Sequence, residues 1–129
     1  MMMNNLKVFI VDDSLIVRSR LVMMLAGVEG VEIIGQVGDA HTAGSVIASS
    51  KPDVVILDFQ LQSGTGLDVL RYVEGSGSPP KIIMLTNYAT EQLRVKCTFH
   101  GVDYFFDKST EFEKVLDAIT SLKAKKQLN

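Results

Sequence analysis

The run Val54-Val55-Ile56-Leu57-Asp58 places four consecutive apolar residues directly before a carboxylate. A short run that is apolar at every position is typical of a strand buried on both faces, as in a parallel sheet covered by helices. A second continuous run, Ile82–Leu85, has the same character and leads into Thr86. The two runs predict the centre of a parallel sheet with polar groups at the carboxyl ends of its strands.

Working outward, strand-like and helix-like segments alternate along the chain. The five predicted strands are Lys7–Val11, Val31–Val37, Val54–Leu57, Lys81–Leu85 and Val102–Phe106. The segments between them, and the one after the last, carry apolar residues at helical spacing. This alternation predicts an α/β fold, a doubly wound five-stranded parallel sheet with helices on both faces. Glu32 and Gln36 interrupt the second run, which suits an edge strand and favours the flavodoxin-like order 2-1-3-4-5.

Composition and length limit the possible functions. The chain has 129 residues and 47% hydrophobic residues, so we expect one domain over residues 1–129, with a core from about residue 6 to 122. The net charge of −2 predicts no direct nucleic-acid partner and no membrane partner. We interpret Lys123, Lys125 and Lys126 as a solvated helix end. A single cysteine and the lack of a signal-peptide pattern favour a cytoplasmic protein.

Polar residues follow four of the predicted strands. Asp12 and Asp13 come after the first, Asp58 after the third, Thr86 at the end of the fourth and Lys108 after the fifth. Because carboxyl ends of parallel strands meet at one edge, we expect these side chains to converge. Three close carboxylates repel one another unless a cation is present, and Mg²⁺ prefers such oxygen ligands. A phosphoryl group entering this site would meet a metal, an ammonium and a hydroxyl.

Four motifs in order resemble the receiver domains of two-component response regulators. They are Asp12-Asp13, Val54–Asp58, Leu85-Thr86 and Gly101–Lys108. The resemblance covers nearly the whole chain, from about Leu6 to Leu122. It implies a single-domain response regulator that turns over no external substrate. Its phosphoryl donor would be a sensor histidine kinase or phosphotransfer protein, its cofactor Mg²⁺, and its output a downstream protein target. The fourth helix, fifth strand and fifth helix would carry the conformational change.

The resemblance also implies roles for individual residues. Asp58 is the phosphoacceptor, Lys108 pairs with the phosphoryl group and Thr86 donates a hydrogen bond to it. Asp13 ligates Mg²⁺ directly and Asp12 through water. The backbone carbonyl of Gln60 completes the protein ligands, together with Asp58.

Other positions are expected to tune the response. Phe105 matches an aromatic residue that swings inward when Thr86 moves, and Gly66 matches a glycine that lets the chain turn into the third helix. Gln60 and Tyr88 flank the expected entrance to the site. We hypothesise that the bulky Tyr88 hinders the hydrolytic water and prolongs the phosphorylated state.

Three positions depart from the usual receiver pattern. Gln62 stands where proline is common, Asn87 where a small residue is usual, and Ser109 replaces the proline that normally follows the lysine. A cis peptide bond costs about 3 kcal/mol before serine, against under about 1 kcal/mol before proline. The sequence therefore leaves the geometry of the Lys108–Ser109 peptide open.

Several alternatives stand beside this interpretation. Asp12-Asp13-Ser14, taken alone, is equally typical of a helix start capped by Ser14. A haloacid-dehalogenase-type phosphatase would need a second carboxylate where Gln60 stands. A flavodoxin-like cofactor binder would place FMN phosphate beside two aspartates, which would repel it. A phosphorelay shuttle and the receiver of a larger DNA-binding regulator are both compatible with the same residues.

Overall fold

The computed structural model describes residues 4–128, which form a parallel sheet with helices on both faces. The elements in chain order are β1 (Leu6–Val11), α1 (Leu15–Ala26), β2 (Val31–Val37), α2 (Ala40–Ser50), β3 (Val54–Leu57), β4 (Gln60–Leu61), β5 (Gly64–Thr65), α3 (Gly66–Glu74), β6 (Lys81–Thr86), α4 (Glu91–Phe99), β7 (Tyr104–Asp107) and α5 (Lys114–Gln127). The main sheet has the order β2-β1-β3-β6-β7, and neighbouring strands in it are parallel. The predicted order 2-1-3-4-5 is confirmed, with β6 and β7 as its fourth and fifth strands.

Two details differ from the prediction. A small antiparallel hairpin of β4 and β5 follows the third strand, and two-residue strands are too short to show a periodic pattern. The last strand begins at Tyr104 instead of Val102. The side chain of Asp103 accepts a hydrogen bond from the Ile82 backbone N–H at 2.8 Å, so this residue caps the edge of the sheet before the ladder begins.

Successive side chains of a strand point to opposite faces of the sheet, and this divides the core into two layers. One layer packs between the sheet and α2, α3 and α4, and the other between the sheet and α1 and α5. Val55, Leu57 and Phe105 belong to the first layer, whereas Val54 and Ile56 belong to the second. Both faces of β3 are therefore buried, as its uninterrupted apolar run predicts.

Side-chain caps fix the points at which three helices leave the loops. Ser14 begins α1, Asp39 begins α2 and Thr90 begins α4, each accepting a hydrogen bond from a backbone N–H of the first turn. The Ser14 cap shows that the helix-start interpretation of Asp12-Asp13-Ser14 is compatible with a site at the same loop. Within residues 4–128, none of the helices combines the length and apolar character that crossing a bilayer requires.

Candidate functional site

The strand ends bring the predicted acidic residues and the lysine together. The Lys108 ammonium donates to a carboxylate oxygen of Asp12 at 2.8 Å and to one of Asp58 at 2.9 Å. The three side chains are each less than 10% exposed. Lys108 follows β7 and its backbone N–H donates to the Thr86 carbonyl at 2.9 Å, so the end of β6 holds it in place. Residues separated by up to 96 positions meet at one edge of the sheet.

Burial and charge act on the ionisation of this cluster. Burial raises the pKa of Asp58, the hydrogen bond from Lys108 opposes that rise and the nearby Asp12 carboxylate adds to it. Burial alone would lower the pKa of Lys108, but its hydrogen bonds to Asp12 and Asp58 and the negative charges of these carboxylates outweigh burial and raise the pKa. The lysine is held charged because two carboxylates share one ammonium. Because one ammonium faces two carboxylates, the site keeps excess negative charge.

Three carboxylates form a candidate site for a hard cation. Asp12, Asp13 and Asp58 each bring an oxygen within 4.8 Å of the others. Asp12 is oriented by its own loop, since it also accepts from the Ser14 backbone N–H at 2.8 Å. Asp13 is exposed and faces a cavity of about 260 Å³ that Asp58, Gln60 and Lys108 also line. An all-oxygen donor set open to solvent fits Mg²⁺ better than zinc.

The two expected switch residues lie behind the cavity. Thr86 is fully buried at the end of β6, and its hydroxyl accepts a hydrogen bond from the Tyr88 backbone N–H at 3.0 Å. Phe105 is 7% exposed and packs in the layer under α4. The Arg94 guanidinium lies over the Phe105 ring, 4.6 Å from its centre, and donates to the Phe105 carbonyl at 3.3 Å. The aromatic ring therefore occupies an inward position, held by a cation of α4.

Gln60 and Tyr88 lie where the sequence predicts the entrance. Both line the cavity that contains Asp58 and Lys108. Tyr88 is 49% exposed and makes an edge contact with the Phe59 ring at 6.5 Å between ring centres. That contact supports the tyrosine at the lining of the cavity.

Gly66 is required by a close approach between the third helix and the segment after β3. A Cβ atom built on Gly66 would lie 2.6 Å from the Asp58 carbonyl oxygen and 3.1 Å from Cα of Phe59. These are backbone atoms, which cannot turn away as a flexible side chain can. The glycine thus allows α3 to start directly beneath Asp58.

One supporting residue is not evident from the motifs. Arg18 of α1 donates to the Asp12 carbonyl at 2.6 Å, and it also donates to the Gln36 side chain at 3.0 Å. It thereby ties the turn of Asp12 and Asp13, hereafter the acidic turn, to β2. A cation near a helix N-terminus opposes the helix dipole, and this anomaly is the sequence signal that could have identified Arg18.

Gln62, Asn87 and Ser109 are the three departures from the receiver pattern. All three lie outside the helices and the named strands. The Lys108–Ser109 peptide is trans, as is every peptide bond in the part of the chain that the structure describes. The Ser109 hydroxyl donates to the Asn87 side-chain oxygen at 3.1 Å. Gln62 lies away from this contact, and its backbone carbonyl accepts from the Ala40 N–H at 3.0 Å.

A larger cavity, of about 640 Å³, lies at the opposite end of the strands, where β1, β3 and β6 begin. Lys126 lines it and donates to the Asp53 carboxylate at 2.7 Å and to the Asn5 carbonyl at 2.9 Å. Within the cluster interpreted as a solvated helix end, Lys126 departs from that description, because it joins α5 to the start of the sheet. The C-terminal ends of α2, α3 and α5 meet here, and the lining contains one carboxylate, Asp53, so it offers no cluster of acidic residues. The smaller cavity at the strand carboxyl ends is the one suited to phosphoryl chemistry.

A doubly wound sheet with three carboxylates and a lysine at its carboxyl edge defines a class of α/β domain with a candidate cation site. Comparison with known families makes the class specific, because the model of the response regulator receiver domain matches residues 8–120. The chain belongs to this family.

Individual relatives and solved structures agree with this assignment. The sensory transduction protein LytT of Bacillus cereus is 30% identical over 95% of this chain and 49% of its own length. The response regulator domain of Thermotoga maritima CheB shares the fold, with a TM-score of 0.84 at 19% identity, over 93% of this chain and 97% of that one. A CheX-CheY-BeF₃-Mg²⁺ complex from Borrelia burgdorferi has a TM-score of 0.82 at 27% identity, over 90% of this chain and 87% of that one. The chain spans about half the length of the curated relatives it matches.

Proposed function

We propose that the chain accepts a phosphoryl group on Asp58 from a histidine kinase or phosphotransfer protein in a Mg²⁺-dependent reaction. The observation that carries the proposal is the Lys108 ammonium bonded at once to Asp12 and Asp58 beside Asp13, in a cavity open to solvent. A carboxylate oxygen of Asp58 forms a bond to phosphorus as the bond from phosphorus to the donor's imidazole nitrogen breaks. The electron pair of the broken bond returns to the imidazole.

The surrounding charges suit this transfer. Asp12, Asp13, Asp58 and the backbone carbonyl of Gln60 would hold Mg²⁺, which supplies positive charge next to the transferring group. Lys108 already contacts the Asp58 carboxylate at 2.9 Å, so it can move with the negative charge onto a phosphoryl oxygen. Thr86 supplies a buried hydroxyl on the same side of the sheet. Because Gln60 stands where a phosphatase would carry its acid, turnover of an external substrate is not part of the proposal.

Output is proposed to pass through the surface formed by α4, β7 and α5 to a partner protein. The phosphoryl group would carry about −1.5 to −2 charges at pH 7, and the hydroxyl of Thr86 would turn toward them, away from the Tyr88 N–H. Of the α4 residues only Cys97 is buried, so this helix has few anchors to resist a shift. Val95 and Phe99 on the same helix are 61% and 86% exposed, and such apolar side chains suit contact with a protein.

The phosphorylated state is proposed to be long-lived because Tyr88 narrows the approach of water. Tyr88→Ala should speed the loss of the phosphoryl group in Mg²⁺, measured by intact mass after removal of the donor. Tyr72→Ala is the matched control, since Tyr72 is similarly exposed at 55% and lies outside the cavity around Asp58. Equal decay of Tyr88→Ala and the parent protein would contradict the role given to Tyr88.

The central test is phosphorylation by a small-molecule donor. The parent protein, incubated with acetyl phosphate and Mg²⁺, should gain the mass of one phosphoryl group, and it should gain none in EDTA. Asp58→Asn should gain none, whereas Asp117→Asn, on the exposed face of α5, should behave as the parent. A parent that gains nothing, or an Asp58→Asn variant that gains as much, would end the proposal.

We further propose that residues 6–122 act as one receiver unit that needs no other domain for phosphorylation, in the cytoplasm. The family match over residues 8–120 supports this, since it includes four strands of the main sheet in full and β1 from its third residue onward. A receiver within a larger DNA-binding regulator is the second candidate. The observation that favours it is the match to the DNA-binding transcriptional activator DevR/DosR of Mycobacterium tuberculosis over 56% of that protein's length. The length of the native protein in cell extracts, measured by immunoblotting, shows whether this receiver unit belongs to a larger regulator.

A further inference from the structure

Two of the three departures from the receiver pattern contact each other at the mouth of the cavity. Asn87 directly follows Thr86, and Ser109 directly follows Lys108. The Ser109 hydroxyl donates to Oδ1 of Asn87 at 3.1 Å, across 22 positions in sequence. Asn87 lines the same cavity as Asp58 and Lys108. A side-chain bond therefore joins the two loops that hold the buried hydroxyl and the ammonium of the site.

Ser109 offers its hydroxyl from an anchored position. Its backbone N–H donates to the Asp107 carboxylate at 2.8 Å, and the N–H of Thr110 reaches the same oxygen at 3.3 Å. The Asp107 N–H in turn donates to Glu111 at 3.0 Å. A proline at position 109 would lack both the N–H that makes the first of these bonds and the hydroxyl. Serine here consequently creates a fixed polar contact that a proline cannot provide.

Because the Ser109 hydroxyl donates to the side-chain oxygen of Asn87, this contact determines which group of the Asn87 amide remains for a ligand in the cavity. A side-chain amide has one acceptor oxygen and one nitrogen with two N–H donors. The oxygen is occupied by Ser109, and within residues 4–128 the nitrogen has no protein acceptor. The amide nitrogen therefore keeps two N–H donors for an anion bound near Asp58.

We infer that Asn87 is a further phosphoryl-binding residue, whose side-chain amide, oriented by Ser109, donates to an oxygen of the phosphoryl group on Asp58. This inference rests on the proposed phosphoacceptor function. Asn87 is the binding residue and Ser109 the positioning residue. A hydrogen bond from a neutral donor to an anion is stronger than one between neutral groups, so the contact favours the phosphorylated state over the free one.

Beryllofluoride with Mg²⁺ tests the inference without turnover, because its fluorine atoms stand in for the phosphoryl oxygens. Bound fluorine signals in ¹⁹F NMR report the donors that each fluorine meets. Asn87→Ala should shift one bound signal and weaken binding about fivefold, and Asn87→Asp, which offers no N–H, should weaken it by more than about tenfold. Ser109→Ala should give a smaller change in the same direction.

The double variant and a matched control separate binding from general structural loss. Asn87→Ala with Ser109→Ala should bind no more weakly than Asn87→Ala alone, since Ser109 acts through Asn87. Gln62→Ala, at the departure outside the cavity, should match the parent. Circular dichroism melting verifies that each variant is folded.

The outcomes distinguish this inference from the function on which it rests. If the parent binds beryllofluoride and Asn87→Ala leaves every bound ¹⁹F signal and the affinity unchanged, Asn87 is not a phosphoryl ligand although the receiver function stands. If the folded parent binds none in Mg²⁺, both the proposed function and the role of Asn87 are wrong.

Discussion

Removing the charge of Lys108 should destabilise the metal-free protein and make Mg²⁺ a stronger stabiliser. Lys108→Met keeps the length and the apolar stem of the side chain but removes its ammonium. Two buried carboxylates, of Asp12 and Asp58, then lose their shared partner at 2.8 and 2.9 Å. Asp13, the third carboxylate of the cluster, cannot compensate for the lost ammonium because it is also negatively charged.

The size of the effect follows from the contacts and the burial. At an effective dielectric constant of about 20, each contact contributes about 6 kcal/mol of attraction. Desolvation of the ammonium, which is 9% exposed, cancels much of this, and breaking a buried ion pair typically costs about 3–5 kcal/mol. We expect a loss of about 3 kcal/mol in free energy of unfolding, or roughly 10 °C in midpoint temperature for a domain of this size.

Urea denaturation followed by circular dichroism, in EDTA and in Mg²⁺, measures both parts of the prediction. The deficit should shrink in Mg²⁺, because the cation replaces the lost positive charge and no longer competes with Lys108 for the carboxylate oxygens. Lys114→Met is the matched control, since Lys114 contacts Glu111 at 2.7 Å but is 57% exposed and should cost under about 1 kcal/mol. A Lys108→Met variant as stable as the parent in EDTA, or a deficit that Mg²⁺ leaves intact, would refute the reasoning.

Three further predictions concern other parts of the site and its support. Gly66→Ala should cost about 1–3 kcal/mol and impair phosphorylation, because the new methyl group meets the Asp58 carbonyl oxygen; urea denaturation measures this, and Gly77→Ala, with open space around it, should show no comparable loss. Arg18→Ala should lower Mg²⁺ affinity about tenfold by loosening the acidic turn, measured by NMR titration, and unchanged affinity would exclude a supporting role. The Cys97 thiol, fully buried and with its pKa raised by that burial, should react with a disulfide reagent on the order of a hundredfold more slowly in the native protein than in urea; equal rates would show that α4 opens freely.

The sheet could be predicted from the sequence because burial of a strand on both faces leaves a local signature. Val54–Leu57 has no polar residue, and Glu32 and Gln36 identify β2 as an edge strand. The β4–β5 hairpin could not be predicted, since two residues show no periodicity. The predicted start of the last strand, at Val102, is two residues too early, because Val102 is apolar. It is buried before the strand, while Asp103 caps the sheet.

The convergence of the acidic residues and Lys108 could be predicted from strand order alone, without any knowledge of side-chain positions. The supporting contacts could not be predicted in this way. The bond from Arg18 to the Asp12 carbonyl depends on the rotation of α1, and the Ser109–Asn87 bond depends on the distance between two loops. Such contacts are set by tertiary packing, and the sequence shows them only as residues that break a local rule, such as a cation near a helix start.

The charge balance of the site explains why neutral donors matter in it. Three carboxylates and one ammonium leave a net charge of about −2 when all are ionised, and Mg²⁺ would bring this close to zero. Phosphorylation replaces one carboxylate charge on Asp58 by about −1.5 to −2 on the phosphoryl group, so the occupied site again carries a net negative charge of up to about one unit. No further cation lines the cavity among the described residues, and hydrogen-bond donors must therefore offset this excess. Thr86 ends β6 and Asn87 directly follows it, so the hydroxyl of the first and the amide of the second are the donors proposed to meet this demand.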